Sequence, residues 1–151
     1  MEEVEYLHES LLSQLKESAT KAYNNFFHAF ELLNSNKNKS KEIFLNILKD
    51  GDFLLSSLEF YNDKFKGIDR SEDYLYIGQI LSLQFKACHD LAVIFKSEKN
   101  DIQMNRYESK KDSYRNMLYS YYLLSKGNSK INKILETFLR EIDILNSKAV
   151  K

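Results

Sequence analysis

Apolar side chains recur along this chain at alternating intervals of three and four residues, the repeat that brings them to one face of an α-helix. The first such stretch runs from Glu3 to about Leu33, with Val4, Leu7, Leu11, Leu15, Ala19, Ala22, Phe26, Phe30 and Leu33 on one stripe. The run Asn34-Ser35-Asn36-Lys37-Asn38-Lys39 then carries no apolar residue. Its short polar side chains compete for backbone hydrogen bonds, which predicts a loop, with Ser40 as the N-cap of a second helix.

That second helix is expected over about 41–66, where Phe44, Ile47, Gly51, Leu54, Leu58, Tyr61 and Phe65 keep the spacing. Gly51 lies between Asp50 and Asp52, and a mid-helix glycine costs about 1 kcal/mol relative to alanine, so a kink or break would fall there. Gly67 reads as the stop, and Asp69 or Ser71 as the cap of a third helix over about 71–98, with Tyr74, Ile77, Leu81, Phe85, Cys88, Leu91, Ala92 and Phe95 inward. Asn100 or Asp101 would cap a fourth helix, over 101–125, whose stripe is Met104, Tyr107, Lys111, Tyr114, Leu118, Tyr121 and Leu124. That stripe is wet: tyrosines replace leucines and Lys111 interrupts it. Gly127 and Asn128 end it, and Ser129 would cap a last helix over 129–147, with Ile131, Ile134, Leu135, Phe138, Ile142 and Leu145 inward.

No segment shows the period-two alternation of a half-buried strand. The expected fold is therefore all-α. Long helices joined by short connections force antiparallel neighbours, giving an up-down bundle of about five helices with coiled-coil-like packing and one core between two layers. A single domain over 1–151 fits both the length and the ordinary balance of apolar and charged residues.

Composition changes this picture mainly by exclusion. Lys plus Arg and Asp plus Glu are 22 each, so no chain-wide field draws the protein to nucleic acid or an anionic membrane. Only Arg70, Arg106, Arg115 and Arg140 could clamp a phosphate bidentately. Cys88 is the sole cysteine, so the fold does not rest on an intramolecular disulfide. The acidic Met1-Glu2-Glu3-Val4-Glu5 start and the lack of an apolar run near the roughly 18 residues of a membrane span predict a cytoplasmic protein, neither secreted nor inserted.

Candidate chemistry is sparse. Glu5 and His8 make half of the Glu-x-x-His pair that di-metal bundles use twice, and neither His28 nor His89 supplies the other half. Parallel first and third helices would bring His28, Glu31 and His89 to similar heights, but His28 lies about 200° off the apolar stripe and is expected in solvent. Cys88-His89-Asp90 has the residue types of a nucleophilic triad, yet adjacent helical side chains point about 100° apart and do not face one another. Cys88 also falls on the inward stripe, where a buried thiol is a poor nucleophile. The four glycines are too isolated for a phosphate loop, and the calcium-loop-like stretch around Gly67 has Lys64 and Lys66 where oxygen ligands belong. No catalytic residue, metal or cofactor is expected.

The fourth helix is the exception. Arg106, Lys110, Lys111 and Arg115 are interleaved with Tyr107, Tyr114, Tyr119, Tyr121 and Tyr122, a pairing of cations and stacking rings that also suits single-stranded nucleic acid. The simpler account puts Tyr107, Tyr114 and Tyr121 inward and the cations on solvated flanks. Tyr119 and Tyr122 lie off the stripe, and exposed aromatics are enriched where proteins dock. The expected function is a non-catalytic protein-protein interaction module, such as an adaptor, inhibitor or assembly subunit, bound through Tyr119, Tyr122, Arg106, Lys110 and Arg115. Nucleic acid is the alternative partner, and self-association stays open. A second candidate is one bundle end, where Lys37, Lys39 and Lys41 should approach Lys96 and Lys99, though solubilising loop ends explain such clusters more simply.

Overall fold

A computed structural model describes residues 2–148 and contains five α-helices: α1 Glu2–Leu32, α2 Lys37–Leu58, α3 Ser71–Ser97, α4 Asp101–Leu124 and α5 Ser129–Ser147. A 3₁₀ turn at Glu59–Tyr61 extends α2, and the described residues include no strand. α3 is the axis: it packs against each of the other four helices, while α1 pairs with α2 and α4 with α5. Its composition explains the position. Ile77, Ile80, Leu81, Phe85, Leu91 and Ile94 are all buried although they point in different directions around the helix, and a helix that is apolar nearly all round belongs inside.

Side-chain contacts fix the helix directions. His8 near the start of α1 meets Asp73 near the start of α3, so these two run parallel. Lys37 and Lys41 at the start of α2 meet Ser97 and Glu98 at the end of α3, and Tyr121 late in α4 meets Tyr74 early in α3, so α2 and α4 run the other way. In α5, Leu135 lies against Gly78 and Glu141 against Lys86, which makes it parallel to α3. The chain is an up-down helical bundle with one cluster of buried residues drawn from all five helices.

Two boundaries and one cap differ from the sequence expectation, for local reasons. α2 begins at Lys37, because the Asn36 side chain accepts a hydrogen bond from the Lys39 amide at 3.1 Å and caps the helix. Ser40 is no cap: it is fully buried, and its hydroxyl donates to the Ala29 carbonyl at 2.6 Å, tying α2 to α1. The apolar-free run is thus a turn over 34–36 followed by an exposed first helical turn over 37–39. Asn128, not Ser129, caps α5 by accepting from the Ile131 amide, as Asn100 does for α4 from the Gln103 amide.

The third difference is at the end of α2, which stops at Leu58 instead of reaching Lys66. A turn then carries the chain to Gly67, whose φ of 86° suits glycine. The turn folds Phe65 back into the core, where its ring meets the His8 ring edge-on at 5.1 Å and stacks on Tyr61. Burial of Phe65 is therefore kept without the helix that its spacing suggested. α2 passes through Gly51 without a break. On α1, Phe30 is 55% exposed although it continues the stripe, because Ala29 takes the inward place at the level where Ser40 crosses.

Among the described residues, no helix is long and apolar enough to cross a membrane.

Candidate functional site

Helix α4 lies on α3 through Tyr107, Lys111, Tyr114 and Leu118, its four buried residues. Each inward polar group has a local reason to be there. Tyr107 stacks on Phe95 with ring centres 5.6 Å apart, and the Tyr114 hydroxyl donates to Asp52 of α2 at 2.8 Å. Lys111 is 1% exposed; its ammonium pairs with Glu108, donates to His89 Nδ1 at 3.2 Å and lies over the Phe85 ring. Such a cation persists in a core only when several groups compensate its lost hydration.

This inward line divides the five residues that sequence reasoning nominated. Arg106 and Lys110 fall on the flank towards α2, where Lys110 approaches Asp52 at 3.7 Å and Arg106 lies over the Tyr107 ring. Arg115, Tyr119 and Tyr122 fall on the flank towards α5. Arg115 holds Asp143 of α5 through two hydrogen bonds of 2.8 and 3.3 Å, and this partner raises the guanidinium pKa further. Tyr119 is 45% exposed and leans on Tyr122, whose hydroxyl accepts from Lys126 at 3.0 Å. Of the three cations, only Arg115 therefore shares a face with Tyr119 and Tyr122. Two of the three cations are engaged by carboxylates of neighbouring helices, an arrangement that fastens α4 to the bundle.

The residues with potential reactive chemistry are also held apart. Cys88 is fully buried, and its desolvated thiol is pushed up to about 12. Burial and the nearby Lys111 ammonium lower the His89 pKa, so the imidazole meets that ammonium as a neutral acceptor. Asp90 points away from both and has no hydrogen bond or ion pair among the described residues. His8 is buried against Asp73, with its Nε2 2.9 Å from each carboxylate oxygen, while His28 and Glu31 are exposed. Among the described residues, no group of three or more His, Cys, Asp or Glu side chains could hold a metal ion. At the bundle end, Lys37 donates to Ser97 and Lys41 pairs with Glu98 at 2.8 Å, so part of the expected basic cluster is spent on joining α2 to α3.

A concave feature lies elsewhere. α1 and α2 diverge over a groove of about 560 Å³, floored by Leu11, Ile47, Leu54 and Ile80. Phe53 stands on its edge with 76% of its surface exposed, and Lys21 and Lys49 line it without any ion pair among the described residues. Sequence reasoning missed this site. Its one legible signal was Phe53 itself, an aromatic residue off the stripe of the second helix. A further recess of about 580 Å³ lies between the 62–70 turn and the end of α4, lined by Phe65, Tyr74, Met117, Tyr121 and Leu124.

Compared with models of known protein families, with curated proteins and with solved structures, the chain matches none.

Proposed function

We propose that this protein is a non-catalytic helical interaction module that receives an amphipathic helix of a partner protein in the α1–α2 groove. The observation that carries this reading is Phe53, a large aromatic side chain three-quarters exposed beside an apolar floor. Leaving such a ring in water forgoes about 2 kcal/mol of burial, which a docked partner would recover. Aromatic side chains at the edge of a concave apolar surface are the usual anchors of helix-in-groove recognition. Lys21 and Lys49, against the single carboxylate of Asp50 on the lining, favour a partner helix with acidic residues beside its apolar stripe. The absence of a nucleophile–base pair among Cys88, His89 and Asp90 supports a binding role over a catalytic one.

The test is site-specific photo-crosslinking in the native cell, with a benzophenone side chain placed at Phe53 or, as a remote exposed position, at Ile102. A single protein adduct is expected from position 53 and none from 102. A synthetic peptide spanning the crosslinked segment should then bind the purified chain, with about a tenfold or greater loss for Phe53→Ala. Equal adducts from both positions, or an adduct containing only a second copy of this chain, would rule the proposal out.

A further inference from the structure

α1 and α5 both run parallel to α3 and both pack on it, yet among the described residues they do not touch each other. The equivalent gap on the opposite side, between α2 and α4, is bridged by side chains: Tyr114 and Lys110 both reach Asp52. No hydrogen bond or ion pair among the described residues joins α1 to α5. The outer surface of α3 faces this gap. Val93 there is 45% exposed, and Asp90, three residues earlier on the same side, is half-buried.

The walls at this level are apolar. About as many residues separate Tyr23 and Phe27 from the His8–Asp73 contact as separate Asp90 and Val93 from it, so in these parallel helices the four lie at similar heights. Tyr23 and Phe27 are each 47% exposed and touch edge to face, 4.8 Å between ring centres. On α5, Leu145 is level with Asp90, one helical turn past Glu141.

Within this apolar trough Asp90 has no polar partner among the described residues. Lys86, one turn earlier on the same face of α3, could have paired with it, but its ammonium is engaged by Glu141 of α5 at 3.0 Å. Burial alone lifts the Asp90 carboxyl well above the ordinary carboxylate range, with no neighbouring charge offsetting it.

We infer that the trough over α3, between α1 and α5, docks an amphipathic helix of a protein partner that brings a lysine or arginine against Asp90. A helix in this position would rest on the face of α3 that α1 and α5 leave uncovered at Val93. It would cover Tyr23, Phe27 and Val93 and give the half-buried carboxylate the counter-charge that the chain itself withholds. A second copy offers no free cation from the same face of α3. In a two-fold pair the face meets itself, and the cation on this face of α3 is already committed to Glu141. The trough lies on the other side of α1 from the Phe53 groove, so this inference goes beyond the proposed groove and does not depend on it.

The test uses the full chain and a designed, fluorescein-labelled helix of about 18 residues with a leucine and alanine face and one lysine at its centre. A control helix has glutamine in place of that lysine. By fluorescence anisotropy the lysine helix should bind about tenfold more tightly than the glutamine helix, and Asp90→Asn should abolish the difference. Tyr23→Ser with Phe27→Ser, both at exposed positions, should weaken both helices about tenfold, whereas Ile102→Ser, remote and exposed, should change neither. Amide chemical-shift changes should centre on Tyr23, Phe27, Asp90 and Val93. The inference is overturned if neither helix binds, if the two bind within about twofold of each other, if Asp90→Asn keeps the preference, or if the shifts map to another face. Concentration-dependent dimerisation abolished by Tyr23→Ser with Phe27→Ser would also overturn it, by assigning the trough to a second copy.

Discussion

Gly51 of α2 faces Gln84 of α3 so closely that a Cβ at position 51 would lie 2.2 Å from Gln84 Nε2 and 2.6 Å from its Cδ. The glycine is therefore there for close approach of two helices, and α2 continues through it. Gln84 is fully buried and uses the space to donate to the Leu48 carbonyl and to Asp52 Oδ1, each at 3.0 Å. Gly51→Ala gains about 1 kcal/mol of helix propensity but must displace a buried, hydrogen-bonded amide. A net loss of about 1–3 kcal/mol is expected by urea denaturation. Adding Gln84→Ala should recover part of it, because the clash disappears with the side chain. Strict additivity of the two substitutions would show that they do not act through this contact.

Asp73 holds a second buried junction. It is fully buried, accepts from Arg70 Nε at 2.8 Å and lies 2.9 Å from His8 Nε2, while Arg70 also donates to Asn62 and covers the Phe65 ring. One carboxylate thus fastens α1, the turn after α2 and the start of α3. Asp73→Ala leaves the Arg70 cation without its carboxylate and should cost about 3–5 kcal/mol. His8→Leu keeps the Arg70 pair and should cost less. If thermal unfolding ranked the two variants in the opposite order, Asp73 would not be the hub.

The helices were legible in the sequence because the three-and-four spacing is local, and so was the inward position of Lys111. The features that were not legible depended on partners far away in the chain. Glu5 and His8 resembled half a metal motif, but the His8 partner is Asp73, which no spacing rule connects to it. Gly51 was visible as an irregularity, yet whether a glycine kinks a helix or admits a neighbour is decided by the neighbour, here Gln84. On helix four Tyr107, Lys111 and Tyr114 are inward, as their stripe suggested, while of the nominated residues Arg106 and Tyr119 are exposed and Lys110, Arg115 and Tyr122 half-buried. Their division between two flanks followed from Asp52 on α2 and Asp143 on α5. The α1–α2 groove left almost no trace, since divergence of two helices is a property of the pair.

Cys88 should be inert in the folded protein. Its side chain is inaccessible, and the thiol at about 12 supplies almost no thiolate at pH 8. Iodoacetamide labelling at pH 8 is expected to be at least about a hundredfold slower than in urea, with the native rate following the frequency of opening. Labelling at the rate of a free thiol would contradict this burial.

The Asp90 carboxyl, raised from 3.8 to about 7 by burial alone, makes a prediction with a definite sign. The folded state favours the neutral acid, so between about pH 4 and 7 it binds more protons at this site than the unfolded chain, whose carboxyl titrates at about 3.9. Stability from this group is therefore complete below about pH 4 and is lost as pH rises towards about 7. The nominal size, about 1.4 kcal/mol per pKa unit, is reduced by the partial exposure of the side chain, leaving about 1–3 kcal/mol. Asp90→Asn removes the ionisation while keeping the shape. Its stability relative to the parent should be near zero at about pH 4 and should grow to about 1–3 kcal/mol in favour of the variant at about pH 8, read from urea midpoints across that range. Parallel curves for parent and variant would mean that Asp90 titrates in the fold as it does in water, and a variant less stable at the upper end of the range would mean that its charge already has a partner.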